Sequence, residues 1–331
     1  MNNYPGRPYS PRISRLITGI EDDCIHGAGY LASRCLDILV SGAKELAGHG
    51  PAKNPLEKYL KTLAGDLAEA QGAMCVIENL LAVTLERFFS QAAPKPLAST
   101  ENIRLLVKII EEEKIRFEQE LTVLAQNGAS FLLKEYSPGM HIVTISYSRA
   151  VIEVLKELAA AGIVKKLEVT AAESRPLGEG VQLAAELAGL GLSVRLVADC
   201  LLGMETKGAD VVLIGADSIT PGGDVVNKAG TRLLALAARA DGLGVFCCAQ
   251  TAKIMAANSE PGKPFPIQQQ RPGTELVDLM PEGVEVLNLY FDLTEKELIS
   301  GYITEKGIVT RETLREISAE TSRMVLENIR L

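Results

Sequence analysis

The stretch His141–Gly162, HIVTISYSRAVIEVLKELAAAG, decides the fold. It opens with a short β-branched run, His141–Ile145, and passes through a polar link, Ser146-Tyr147-Ser148-Arg149. It then becomes periodic over Val151–Ala161 and stops at a glycine. A strand, a polar turn and an amphipathic helix closed by Gly162 make half of a βαβ unit. The grammar repeats downstream. Apolar runs at Lys166–Thr170, Ser193–Val197, Val211–Ile214 and Gly244–Cys248 read as strands. Periodic segments at Val181–Ala188 and Thr231–Ala240 read as the helices between them, with Gly191 and Gly242 at their ends. Alternation at this spacing predicts right-handed crossovers and a doubly wound parallel sheet. Val284–Leu287 reads as a last strand and Glu312–Asn328 as a closing helix.

Upstream of this stretch the periodicity is helical, over Ile25–Ala43, Leu56–Leu63, Ala73–Phe89 and Ile103–Leu124, with a proline-bearing connection at Ala92–Ser99. The expected organisation is an N-terminal all-helical domain, residues 1–135, followed by a Rossmann-like α/β domain, residues 136–331. The chain of 331 residues, 47% apolar and 23% charged, supports two cores of that size. A net charge of -8 argues against nucleic acid as a partner, which requires a basic footprint. No apolar run reaches the length of a membrane helix, and the polar start MNNYPGRPYSPR is not a signal peptide. The expected location is the cytoplasm. Six scattered cysteines without a C-x-x-C pair give no metal site, and no cofactor is expected. Adjacent Cys247 and Cys248 read as small buried hydrophobes.

In an open parallel sheet, ligands sit beyond the carboxyl ends of the strands. The segments there carry Ser146 and Ser148, then Glu173, Ser174 and Arg175, then Asp199. Beyond the later strands come Asp217, Gly222-Gly223-Asp224 and Asn227-Lys228, then Gln250 and Lys253. Glycine turns leading into a helix offer backbone N–H groups to an anion, and Lys228, Lys253 and Arg175 would add charge-assisted hydrogen bonds to a phosphate. Asp217, after an apolar strand, reads as a partly desolvated carboxyl suited to acid catalysis. Taken singly, Asp199 or Asp224 reads as a helix cap, Asn227 as a loop stabiliser, and Ser146 and Ser148 as caps of the helix near Arg149. Their convergence on one rim favours a site. His141 lies a strand's length, roughly 16 Å, from Ser146 and cannot serve as its base. His49, in a Gly-rich turn, reads as a surface residue. His26-Gly27-Ala28-Gly29 opens or interrupts an early helix, and the glycines suit either a phosphate or a tight helix contact.

These motifs are familiar. Val211–Thr231 (VVLIGADSITPGGDVVNKAGT), Glu173–Gly180 (ESRPLGEG), Gln250–Lys253 (QTAK) and Asn288–Gly307 together resemble the initiation factor 2B alpha/beta/delta family. Its enzymatic relatives are methylthioribose-1-phosphate isomerase and ribose-1,5-bisphosphate isomerase. The resemblance covers most of residues 15–325. It implies that Asp217 matches the isomerases' catalytic aspartate, that Asn227, Lys228 and Ser148 contact substrate, and that Lys253 lies on the phosphate side. Gly27 and Gly29 align with the phosphate-binding glycine turn. It also implies a homodimer through the C-terminal domain. The departures are specific. Ser146 stands where the isomerases carry a proton-moving cysteine, and a hydroxyl is a far weaker acid than a thiol. The early glycine turn lacks its arginine, with His26 before Gly27 and Tyr30 after Gly29. Gln71-Gly72 replaces an Arg-Pro. Tyr147-Ser148-Arg149 instead resembles the non-catalytic initiation-factor subunits, many of which lack the aspartate kept here as Asp217. The resemblance thus implies a phosphorylated-ribose or nucleotide binder. It is either an aldose–ketose isomerase using Asp217 with Ser146 or a water, a sensor or regulatory subunit, or a scaffold.

Overall fold

The computed structural model describes residues 8–48, 56–93, 97–137, 139–163, 166–257, 270–279 and 282–329. His49 and residues 94–96 of the proline-bearing connection lie outside these.

The chain folds into two compact units. One comprises residues 1–119, 252–259 and 316–331, and the other 120–251 and 260–315. The sequence boundary at 135/136 assumes contiguous domains. The division by compactness instead falls inside one long helix and returns two later segments to the helical unit.

The helical unit is built from α1 (Pro11–Glu21), α2 (Ala28–Gly48), α3 (Leu56–Ala70), α4 (Cys75–Gln91) and the first half of α5 (Thr100–Glu135), with most of α10 (Arg311–Asn328). α1 starts where its chemistry says it should. Ser10 accepts the Ile13 N–H on its Oγ at 3.3 Å, and Pro11 takes the first helical position, where no amide is needed. Ile13, Ile17, Leu31, Leu60, Leu63, Leu81 and Leu85 form a core closed to solvent. Fully burying one such side chain is worth about 1.5–3 kcal/mol.

The α/β unit carries a seven-stranded sheet. Its strands are β1 (His141–Thr144), β2 (Glu168–Ala172), β3 (Ser193–Val197), β4 (Val211–Ile214), β7 (Gly244–Cys248), β9 (Gly301–Thr304) and β10 (Gly307–Val309), in the order β10-β9-β7-β4-β1-β2-β3. All neighbours are parallel except β10 with β9. The crossover helices are α6 (Arg149–Leu158), α7 (Glu179–Gly189) and α9 (Thr231–Ala240), with a short α8 (Leu202–Glu205). Gly162, Gly191 and Gly242 take positive φ values of 85°, 84° and 78° at the helix ends. The core joins Ile142, Val169 and Leu213 of the strands to Val151 and Leu155 of α6.

Two expectations change. Val284–Leu287 forms no strand with any of the described residues, and the closing strands are β9 and β10 instead. Gly222-Gly223 does not lead into a helix. It tips a hairpin between β5 (Ser218–Ile219) and β6 (Val225–Lys228), which pairs further with β8 (Phe291–Thr294) as a separate antiparallel sheet. The Gly223 backbone, at φ 100°, runs so close to Tyr302 that an added Cβ would stand 2.5 Å from its Oη.

Candidate functional site

Strand order locates the site. From β1 the chain winds outward through β2 and β3. From β4 it winds the other way through β7 and β9. Right-handed crossovers in opposite directions leave through opposite faces, and the ends of β1 and β4 are therefore where an open sheet of this order takes a ligand. The segment after β1 turns sharply at Ser146, whose φ of 67° is left-handed, and reaches Ser148, the N-cap of α6. The segment after β4 begins with Gly215, where an added Cβ would lie 2.5 Å from Ser148 Oγ. Only glycine lets the two loops approach this closely.

The loop after β2 locks onto both neighbours. Ser174, also left-handed at φ 65°, accepts the Ser146 N–H on its Oγ at 2.8 Å. Asp199, after β3, takes the Ser174 and Arg175 amides on its two carboxylate oxygens, at 2.7 Å each. Asp199 is therefore a clamp on a strained turn. Arg175 directs its guanidinium to the Glu275 carbonyl at 3.3 Å.

A charged cluster sits within this frame. Glu179, the first residue of α7, receives the Ser146 Oγ–H at 3.1 Å and the Lys228 ammonium at 2.7 Å, both on Oε1. The Lys228 side chain is only 5% exposed, and its Nζ lies 5.2 Å from the centre of the Tyr290 ring. The ring also carries Arg271 at 4.9 Å, and its hydroxyl donates to Glu275 at 2.7 Å. Glu179 Oε2 is buried with no hydrogen-bond partner among the described residues. Asn227 is buried and donates to Thr231 Oγ1 at 3.0 Å, while Thr231 bonds back to the Lys228 carbonyl at 2.6 Å. Asp217 is half-buried between β4 and β5, its amide donating to the Val226 carbonyl at 2.9 Å. The α/β unit thus brings together Ser146, Ser148, Asn227 and Lys228 with Glu179. Sequence reasoning did not single out Glu179. An acid at the first turn of a helix is the ordinary complement to the helix dipole, which hides a second role.

Tyr147, next to Ser146, donates to Glu186 at 2.5 Å. Burial and that hydrogen bond push its hydroxyl up to about 12. The same bond, with Lys156, holds the Glu186 carboxyl below the usual range despite its partial burial.

Three expected residues belong to the helical unit. Gly27 precedes α2, and no atom lies within 4 Å of the Cβ it lacks. Gly29 packs against Phe117, 3.2 Å from a built Cβ, a tight helix contact. Lys253 ends a short turn held by α4. Cys75 Sγ donates to the Lys253 carbonyl at 3.1 Å, and Asn79 Nδ2 reaches the carbonyls of Ala252 and Ile254, both at 2.8 Å. Gln71 is buried and caps the end of α1, donating to the carbonyls of Ile20, Glu21 and Asp23 at 2.9, 3.2 and 3.0 Å. His26 bonds Asp23 at 2.8 Å and stacks on Tyr30 at 4.0 Å.

Comparison with known proteins now bears on this geometry. The family model for the initiation factor 2 subunit family matches residues 18–311. The chain belongs to that family. A putative translation initiation factor eIF-2B subunit 2-like protein of Pyrococcus furiosus is 31% identical, over 90% of this chain and 96% of the relative. A methylthioribose-1-phosphate isomerase of Fervidobacterium nodosum is 34% identical, over 88% and 84%. A ribose 1,5-bisphosphate isomerase of Pyrococcus furiosus is 31% identical, over 86% of each. The crystal structure of the translation initiation factor eIF-2B of Pyrococcus horikoshii superposes with a TM-score of 0.72 at 27% identity, covering 91% of this chain and 98% of that one. Among the described residues no helix is long and apolar enough to cross a membrane, and no cluster of His, Cys, Asp and Glu is arranged to hold a metal ion.

Proposed function

We propose that this family member binds a phosphorylated ribose at the switch point of its α/β unit and acts as an aldose–ketose isomerase of a ribose-1-phosphate-type sugar. The observation that carries the reading is the cluster of buried Lys228 with half-buried Glu179 and Ser146, beside Asn227, built where open α/β sheets bind ligands. A buried lysine paired with a half-buried carboxylate, one of whose oxygens is enclosed and left over, is an expensive arrangement for a chain with no ligand to receive. The relatives named as isomerases of methylthioribose 1-phosphate and ribose 1,5-bisphosphate supply the substrate class.

Asp217 would hold and move the proton between the two sugar carbons. Ser146 cannot supply a thiolate, and its hydroxyl already donates to Glu179, so a water or the hydroxyl itself stands in for the second proton carrier. Ser148 and Arg175 enter as binding groups of this unit from the resemblance, which assigns a phosphate-side role to Gly27, Gly29 and Lys253 of the helical unit as well. A cytoplasmic homodimer joined through the C-terminal domain completes the proposal. The replacement of the thiol by Ser146 favours a second reading, a non-catalytic sugar-phosphate or nucleotide sensor within a translation-factor-like assembly.

Deuterated water separates the two. With ribose 1-phosphate, ribose 1,5-bisphosphate and methylthioribose 1-phosphate as substrates, label entering C2 marks an isomerase. Asp217→Asn should abolish that exchange while leaving binding mostly intact. Binding without exchange selects the sensor, and exchange that survives Asp217→Asn removes Asp217 from the mechanism.

A further inference from the structure

Lys228 looks like a phosphate ligand by residue type, yet its charge is already engaged. Its Nζ is 2.7 Å from Glu179 Oε1, with the side chain almost wholly enclosed and the Tyr290 ring against it. At hydrogen-bond distance in a partly desolvated setting, the carboxylate offsets most of the ammonium field felt nearby. Ser146 donates to the same oxygen, so Oε1 is served twice while the buried Oε2 is served by no described residue. A buried acceptor without a donor is costly, because it has given up water and gained no partner. What completes this site is a hydrogen-bond donor without negative charge. A phosphate at pH 7 has oxygens that mainly accept, and it would set its charge against that carboxylate. A sugar hydroxyl donates and is neutral.

We propose that Glu179 is a specificity-determining residue that makes this corner of the switch-point site receive a ligand hydroxyl and refuse a phosphate. The identity of the ligand as a sugar rests on the function proposed above. The refusal of phosphate rests on the Glu179–Lys228 pair alone. Lys228 then acts as the counter-charge that holds Glu179 aimed, and the ligand's phosphate lies away from it.

The test measures inorganic phosphate binding by calorimetry at constant ionic strength. It compares the full chain with Glu179→Gln, Glu179→Asp and the double variant Glu179→Gln/Lys228→Met. Glu179→Gln keeps the shape and releases the lysine's charge, so phosphate should bind at least about tenfold more tightly, a modest return for one uncompensated charge. The gain should vanish in the double variant, and Glu179→Asp should stay with the parent. Unchanged phosphate affinity in Glu179→Gln, or a gain that survives Lys228→Met, overturns the proposal. A second arm compares ribose 1-phosphate with its 2-deoxy and 3-deoxy analogues. One analogue should bind the parent about tenfold more weakly, and Glu179→Ala should erase that difference. Equal binding of all three by the parent overturns the hydroxyl assignment. A parent that binds no sugar phosphate at all refutes the proposed function, while the phosphate arm still decides what Glu179 does to Lys228.

Discussion

Gly215→Ala probes the switch point with a single methyl group. A Cβ built there lies 2.5 Å from Ser148 Oγ and 2.7 Å from Ser148 Cβ, against an ordinary carbon contact of about 3.5–4 Å. Asn227 Oδ1, at 3.6 Å, is left in normal contact, so the damage concentrates on Ser148. Ser148 can escape only by moving the backbone or by rotating its hydroxyl away from the Val151 amide that it caps at 3.4 Å. Losing an N-cap costs about 0.5–2 kcal/mol, and overpacking a buried contact about 1–3 kcal/mol. The expected destabilisation is about 2–4 kcal/mol, read from urea denaturation with hydrogen exchange across α6 as the local report. Ser148→Gly, which removes both clashing atoms, should cost about 1 kcal/mol alone. In the double variant it should recover at least about 1 kcal/mol of the Gly215→Ala loss. A Gly215→Ala protein within about 0.5 kcal/mol of the parent, or a strictly additive pair, would refute the close approach of the two loops.

Asp199→Ala removes both 2.7 Å acceptors of the left-handed Ser174 turn and should cost about 2–3 kcal/mol, with Asp199→Asn recovering part of it in the same denaturation assay. Tyr147→Phe deletes the bond to Glu186 and should cost about 1 kcal/mol at neutral pH. Because that bond lowers the Glu186 pKa below its ordinary 4.5, the stability it adds is present above that value and lost as pH falls through the lowered one. Stability measured between neutral and acid pH should therefore drop less steeply in Tyr147→Phe than in the parent. Asn79→Ala strips the half-buried Ala252 carbonyl and the buried Ile254 carbonyl of their donor and should cost about 2 kcal/mol, with faster amide exchange at Lys253 and Met255.

The sheet was legible because its strands are short, apolar and β-branched between glycine-ended helices. Ser193–Val197, Val211–Ile214, Gly244–Cys248 and Thr231–Ala240 have in the structure the limits their periodicity predicts. The antiparallel sheet was not legible. β5 has two residues, and β6 is Val-Val-Asn-Lys after a glycine pair, indistinguishable by composition from a loop. Val284–Leu287 has the alternation of a strand, but a strand also needs a partner, and pairing between distant segments leaves no trace in one local pattern. At the site, Ser146, Asn227 and Lys228 were legible as polar residues following strands. Glu179 was not, because its two donors stand 33 and 49 positions away in the chain (146 to 179 and 179 to 228) and only the fold unites them. Asp199 shows the reverse. Its residue type and position suited a ligand contact, while both its oxygens are occupied by backbone amides.

Thermal denaturation of the intact chain with ribose 1-phosphate, ribose 1,5-bisphosphate, methylthioribose 1-phosphate, ribose 5-phosphate and AMP tests the central claim most directly. A ligand at a hundred times its dissociation constant adds about 2.7 kcal/mol to the folded state. A phosphorylated ribose should raise the melting temperature in the parent, and the rise should shrink in Lys228→Met. No shift with any of the five would contradict a sugar-phosphate site.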